Sequence, residues 1–285
     1  MKTSKNILVT GAKGQLGSEI QHLSQFHDFD FEFTDIEELD ITSMEQIEAF
    51  FSSRKFDMII NCAAYTAVDR AEEEKDQAEL INHKAAENIA VISKKHKAPL
   101  IHLSTDFVFD GKSFTPYREE DMPHPLSVYG KTKWAGENAV LKEAEKVVIL
   151  RTSWLYSSYG NNFVKTMLKL AGERDSLNVV FDQIGTPTYA RDLAGAVLSI
   201  LSFKDFVPGI FHYSNEGVAS WYDLAQAIVE IAGLDCRLYP IETHQYPTPA
   251  KRPAYSVLNK AKIKKTYGLE IPHWRTSLKA CLEIL

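Results

Sequence analysis

The sequence predicts an α/β protein, a doubly wound parallel sheet followed by a smaller C-terminal α/β domain. Five apolar runs of strand length, NILVT, FEFTD, DMIINCAA, PLIHLST and KVVILRT, alternate with amphipathic stretches through residues 1–155. These runs are almost continuously apolar, as strands covered by helices on both faces require. A glycine turn, ILVTGAKGQLGSEI, joins the first run to the first helical stretch.

NILVT leads into Gly11, Gly14 and Gly17, spaced GxxGxxG. In such a turn one glycine permits tight backbone geometry, a second lets a pyrophosphate approach the main chain, and a third lets helix and strand pack closely. The helix N-terminus then faces the anion. The spacing is not GxGxxG, and a merely structural turn is the alternative. FEFTD ends on Asp35, eighteen residues after Gly17, where a carboxylate can accept hydrogen bonds from an adenosine ribose. In ELDITS, Asp40 either reaches the adenine side or starts the next helix, since DITSMEQ resembles an N-cap sequence. DMIINCAA is the third strand. The charged run DRAEEEKDQAEL, from Asp69 to Leu80, reads as the solvated start of a helix and receives no function.

PLIHLST and KVVILRT are the fourth and fifth strands. Between them, LSVYGKTKWAGENA places Tyr129 and Lys133 four residues apart at the start of a helix, on one face. A nearby ammonium favours the ionised phenol and moves its pKa toward neutrality, which makes a proton donor. The alternative is a tyrosine covering the helix start beside a solvated lysine. After residue 155 the rhythm loosens. GNNFVKTMLKLAGER and ASWYDLAQAIVEIAG read as helices, and TPTYARDLAGAVLSIL as a helix returning to the first domain. The Pro- and Tyr-rich residues 239–256 read as an ordered loop, of the kind that builds binding sites. The expected domains are 1–155, with a returning segment near 186–214, and 156–285.

A formal charge of -6 and the lack of a long basic run argue against a nucleic-acid partner. No stretch approaches eighteen consecutive apolar residues, so no membrane span and a cytoplasmic location are expected. Cys62, Cys236 and Cys281 lack CxxC spacing and read as packing residues.

In order along the chain, TGxxGxxG, NCAAYTAVDRAE, HLSTDFVFDG and YGKTKWAGE resemble the extended short-chain dehydrogenase/reductase superfamily. STDFVFDG, LRTSWLY, DQIGTPTYARDLA and RPAYSVL extend the likeness to the dTDP-4-dehydrorhamnose reductases over essentially the whole chain. The resemblance implies a Rossmann-type first domain, NADPH or NADH as cofactor, a dTDP-sugar as substrate, and reduction of the C4 keto group of dTDP-4-dehydro-L-rhamnose. It makes Tyr129 the general acid at O4, and Lys133 both its tuning cation and a ligand of the nicotinamide ribose. Thr105 would hydrogen-bond the same carbonyl oxygen and Asp106 would hold a sugar hydroxyl, with strand-end capping as the alternative for both. Gly11, Lys13, Gly14, Gln15, Leu16, Gly17, Asp35, Asp40, Ile41, Ala63, Ala64, Tyr65 and Thr66 would line the cofactor, with Lys13 placed to meet a 2'-phosphate. Trp154 would pack on the deoxysugar, with a place in the core as its alternative, and Arg252 would take the diphosphate.

The chain also departs from the pattern. Phe107 stands where tyrosine often follows STD. Gln15 replaces the carboxylate that metal-bridged members use, and Arg191 interrupts the later acidic region, which argues against magnesium. A homodimer is left open. Two other functions stay in view. One is a non-catalytic dinucleotide-binding regulator, like the beta subunit of methionine adenosyltransferase. The other is an epimerase or dehydratase on another nucleotide sugar, although Thr105–Asp106–Phe107 lacks the acidic pair of a TDE pattern.

Overall fold

The computed structural model describes residues 4–285. Strands of four residues or more are β1 (Lys5–Thr10), β2 (Phe29–Thr34), β3 (Met58–Asn61), β4 (Leu100–Thr105), β5 (Val147–Thr152), β6 (Ser176–Val180), β7 (Gly209–His212) and β8 (Arg237–Ile241). The longer helices are α1 (Gln15–Ser24), α2 (Met44–Ser52), α3 (Ala85–His96), α4 (Val128–Glu143), α5 (Phe163–Glu173), α6 (Ala190–Ser202), α7 (Trp221–Ala232), α8 (Ala261–Tyr267) and α9 (Trp274–Leu282).

Six strands form one parallel sheet in the order β2-β1-β3-β4-β5-β7. Alternate residues of each strand feed opposite faces. Ile7, Val9, Ile60, Ile101, Leu103, Val148 and Leu150 pack against Leu16 and Ile20 of α1 and Leu193 and Val197 of α6. Their neighbours Leu8, Ile59, Leu100, Val147 and Ile149 pack against Ile47 and Phe51 of α2, Ile89 of α3 and Val140 of α4. Both faces of β1, β3, β4 and β5 are therefore covered, which is why those strands read as unbroken apolar runs, whereas the edge strand β2 alternates, packing Phe29, Phe31 and Phe33 on one side with Asp30 exposed on the other. The order reverses at β1, which has β2 on one side and β3 on the other, and a crevice opens there at the strands' C-terminal ends. The returning helix is α6, and it is followed by β7, which completes the sheet beside β5.

A second core gathers Val164 and Met167 of α5, Leu177 and Val179 of β6, Leu224 and Ile228 of α7, Leu238 of β8 and Leu278 of α9. Local signals fix its helices. Asn162 caps α5 by accepting from Lys165 N at 3.1 Å. Ser220 and Asp223 form a capping box on α7, and Gly233 ends that helix in the left-handed region. Among the described residues, no helix is long and apolar enough to cross a membrane.

Two expectations need correction. Residues 239–256 are not loop throughout, because Tyr239, Pro240 and Ile241 belong to β8, paired in parallel with β6. The proline is tolerated because this pair of strands has no inner strand, so no ladder partner is denied on β8's outer edge. The charged run after Asp69 is also more than a solvated helix start. It forms a short turn, helix Lys75–Glu79 and a π-helical stretch, Leu80–Lys84, that continues into α3. Its side chains hold other parts of the molecule. Glu72 Oε1 accepts from Val128 N at 2.9 Å, so together with Ser127 it caps α4. Within the π-helical stretch, Asn82 accepts from Tyr65 N at 2.8 Å and donates to Thr132 Oγ1 at 3.1 Å, tying the segment after β3 to α4.

Candidate active site

Two adjoining cavities lie at the C-terminal ends of β1, β3 and β4, of ≈ 620 Å³ on the β2 side and ≈ 530 Å³ on the β5 side. Gly11, Lys13, Gly14, Cys62 and Ala64 line both, so the two compartments meet over the glycine turn. An elongated, two-part ligand suits this shape.

Gly11 has φ +68°, and a Cβ there would lie 2.5 Å from Ala63 N. Only glycine lets the end of β1 come this close to the end of β3. Gly14 precedes α1 in extended conformation and offers no side-chain cap, so the first N–H groups of α1 are left for an anion in the cavity wall. Leu16 and Gly17 line the same wall. These features fit a dinucleotide pyrophosphate.

On the β2 side, Asp35, Asp40, Ile41 and Ala63 line the cavity. Asp35 Oδ2 accepts from Lys13 N at 2.9 Å, which fixes the carboxylate at the end of β2. The Lys13 ammonium pairs with Glu37 and lies 3.7 Å from Glu38, with its side chain exposed. Asp40 Oδ1 closes a turn by accepting from Thr42 N at 2.9 Å and Thr42 Oγ1 at 2.7 Å, and the cap of α2 is Ser43 instead. Ala64 and Thr66 line the other compartment. Tyr65 lines neither. Its backbone is pinned by Asn82, and its hydroxyl turns away to donate to Glu74 at 2.5 Å.

Thr105, Asp106, Tyr129, Lys133 and Trp154 all line the β5-side compartment. Thr105 ends β4, Asp106 opens the 3-10 turn after it, and Tyr129 and Lys133 occupy the first turns of α4. The Tyr129 ring meets Phe107 edge-on at 5.5 Å, so phenylalanine at that position keeps aromatic packing though it brings no hydroxyl. Thr105 Oγ1 accepts from Phe107 N at 3.2 Å and donates to Asp106 Oδ1 at 3.1 Å. Strand-end capping is therefore present, and donation to a substrate oxygen requires giving up Asp106. Burial pushes the Asp106 carboxyl up to about 6, opposed by hydrogen bonds from Ser256 and Thr105.

The expected electrostatic partnership of Tyr129 and Lys133 is not what this pocket shows. Burial pushes the Tyr129 phenol up to about 12; the Thr105 hydroxyl opposes that rise and the Asp106 charge adds to it. The Lys133 ammonium donates to Leu103 O at 2.6 Å. Its own pKa is drawn down to about 8 by burial, against the pull of Glu137 and Cys62. Desolvation, which sequence spacing does not reveal, is the largest influence on both groups.

Trp154 has φ +48°, a strained conformation for a bulky residue, and stacks on Trp221 with centroids 3.6 Å apart. Gly185 lies beneath it, where a Cβ would fall 2.6 Å from the indole. Arg252 lines neither cavity. It forks onto Asp69 at 2.7 and 3.0 Å and bonds Thr248 Oγ1 at 2.6 Å, clamping the Pro-rich segment to the charged run. Gln15 accepts from Asn162 at 3.0 Å, and Arg191 pairs with the buried Glu19 at 2.8 Å. Among the described residues, no group of three or more His, Cys, Asp or Glu is placed to hold a metal ion.

Sequence reading missed several lining residues, among them Cys62, Ser104, Ser153, Gly160 and Asn162. Ser153 sits inside the RTSWLY motif, and Asn162 carries the N-cap signal of α5, so both had a local cue. Cys62 and Ser104 likewise lie inside the NCAAYTAVDRAE and HLSTDFVFDG motifs, but neither residue type marked it out from its neighbours.

A family model described as RmlD substrate binding domain matches residues 5–285. The chain belongs to the RmlD substrate binding domain family. Its relatives include a dTDP-4-dehydrorhamnose reductase of Aggregatibacter actinomycetemcomitans, 42% identical over 96% of this chain and 97% of that one. Among solved structures, a dTDP-4-dehydrorhamnose reductase from Clostridium acetobutylicum superposes with a TM-score of 0.95 at 44% identity, covering 98% of this chain and 99% of that one. The Bacillus anthracis dTDP-4-dehydrorhamnose reductase, solved in complex with NADP, gives a TM-score of 0.96 at 38% identity, covering 99% of this chain and all (100%) of that one. The family match therefore takes in both compartments of the crevice and the C-terminal core.

Proposed function

We propose that this chain reduces the C4 keto group of dTDP-4-dehydro-L-rhamnose to give dTDP-L-rhamnose, using NADPH or NADH. The observation that carries the reading is the convergence of Thr105, Tyr129 and Lys133 on the compartment next to the glycine turn. Full-length likeness to reductases of that name supports it. When bound, the nicotinamide supplies hydride to C4. Tyr129 holds the proton at its phenol oxygen and gives it to O4, and Thr105 donates to that oxygen as negative charge develops. Lys133 grips the nicotinamide ribose, Asp106 takes a sugar hydroxyl, and the Trp154 indole gives the 6-methyl face an apolar wall. The lobe built around α5, α7 and β6 is the substrate side. Arg252 is free to meet a diphosphate only if Asp69 is displaced. Mixing purified protein with dTDP-4-dehydro-L-rhamnose and either reduced nucleotide tests the reading. Cofactor absorbance should fall as dTDP-L-rhamnose forms, and consumption without that product would refute it.

Both nucleotides are expected to bind. Asp35 favours a free ribose, while Lys13 is exposed and its surface ion pair with Glu37 is easily exchanged for a 2'-phosphate. The ratio of dissociation constants should stay below about a hundredfold, or about 2.7 kcal/mol. A larger ratio in side-by-side titrations would mean that one of these residues dominates.

Chelation is expected to leave most of the activity in place, because Gln15 and Arg191 supply no carboxylate for a hard cation. Loss with EDTA and recovery with magnesium would overturn this.

Nucleotide affinity is expected to weaken as pH rises through about 8, where the buried Lys133 loses its charge. A phenol at about 12 stays protonated over that range, so the limb should persist in Tyr129→Phe. Titrations from neutral to alkaline pH read this directly, and a limb lost with the tyrosine would assign it to the wrong group.

A further inference from the structure

Beneath Lys133 lies a buried ion pair that the reaction itself does not use. Arg151 of β5 forks onto Glu137 of α4, with Nε to Oε1 at 2.9 Å and Nη2 to Oε2 at 2.7 Å. Both side chains are fully enclosed, at 2% and 1% exposure. Glu137 follows Lys133 by one helical turn and shares its face. A buried carboxylate must be paired, and two cations compete for this one. The guanidinium occupies both oxygens and is itself held over the Phe109 ring at 5.2 Å. The Lys133 side chain is buried, and its ammonium is left to the Leu103 carbonyl and the cavity.

We propose that Arg151 and Glu137 are positioning residues for Lys133, the guanidinium engaging both carboxylate oxygens so that the ammonium stays turned to the cofactor. This rests on the role given to Lys133 in the proposed reaction. The titratable groups around Lys133 are Glu137 and Tyr129 on its own helix, Cys62 just beyond β3, His102 on β4 and, across the same compartment, Asp106 after β4. Burial raises the Cys62 thiol to about 12 and holds His102 well below its usual range, so both are neutral. Among the carboxylates, Glu137 is the one that acts on the amine, and it favours the charged form.

Breaking the pair from one side should be worse than removing both members. Arg151→Met leaves the Glu137 carboxylate to capture Lys133, and nucleotide affinity should fall by at least about tenfold. Arg151→Met combined with Glu137→Leu removes the competitor, and affinity at neutral pH should return to within about threefold of the parent. In the double variant the alkaline limb of nucleotide binding should move to lower pH, because nothing then offsets burial of the amine. Ordinary scaffolding would not move that limb. A folded double variant as weak as the single one, or a double variant with the parental limb, would overturn the proposal. If the Arg151 variants do not fold, Glu137→Gln, which keeps an acceptor for Arg151, decides on the limb alone. Nucleotide titration needs no sugar. A parent that binds nucleotide but reduces no dTDP-sugar would therefore count against the proposed reaction, and parental titrations in the variants against the positioning role.

Discussion

Tyr129→Phe is expected to lower turnover by about 10²–10⁴-fold while nucleotide affinity changes little. The substitution removes a proton and keeps the ring, which still meets Phe107 edge-on and still closes the wall of the cavity. Lys133→Met should damage both quantities, because the proposed reaction has this ammonium grip the nicotinamide ribose from the wall of the same compartment. Single-turnover hydride transfer and nucleotide titration on each folded variant separate the two phenotypes. If Tyr129→Phe reduces substrate at the parental rate, the proton comes from elsewhere. If Lys133→Met binds and turns over normally, the tyrosine and lysine are a structural pair.

Gly11→Ala should be nearly as damaging, but through the backbone. A left-handed conformation at a residue with a Cβ costs about 1–3 kcal/mol, and here the new atom would also push on the chain at Ala63. Nucleotide affinity should drop by at least about tenfold, with a lower midpoint in denaturant. Gly172→Ala is the control, because that glycine lies within α5 and a Cβ there would meet nothing within 4 Å, so alanine should be neutral or stabilise by up to about 1 kcal/mol. Parental affinity and midpoint in Gly11→Ala would show that the turn relaxes freely.

The parts of this molecule that could be read in advance are those where a local pattern determines the outcome. β1, β3, β4 and β5 carry unbroken apolar runs because both faces are covered, while the edge strand β2 shows in its alternation, and the glycine turn was visible because backbone approach leaves its mark in residue type. Tyr129 and Lys133 were visible from helical spacing. What stayed hidden depends on partners far away in the chain. Arg252 looked free until Asp69 came to meet it, and Tyr65 looked inward until Asn82 and Glu74 turned it out. The Tyr129 phenol followed burial, which no spacing rule measures. The short strands β6 and β8 escaped notice because one is half polar and the other contains a proline, and a two-stranded sheet asks little of either.

The order in which the sheet is assembled has a consequence for synthesis. β7, the last strand in place, is made only after α5, β6 and α6 have emerged, although it belongs beside β5. Until then a nascent chain carries β5 as a bare edge, and Val148 and Leu150 lack the cover of Leu193 and Val197. Such an intermediate has sticky surface and long-range contacts still to make, the circumstances that slow folding and invite aggregation. A fragment ending after β5 is therefore not a self-sufficient nucleotide-binding unit, however complete its motifs, because the late-arriving helix and strand supply the cover for its last strand.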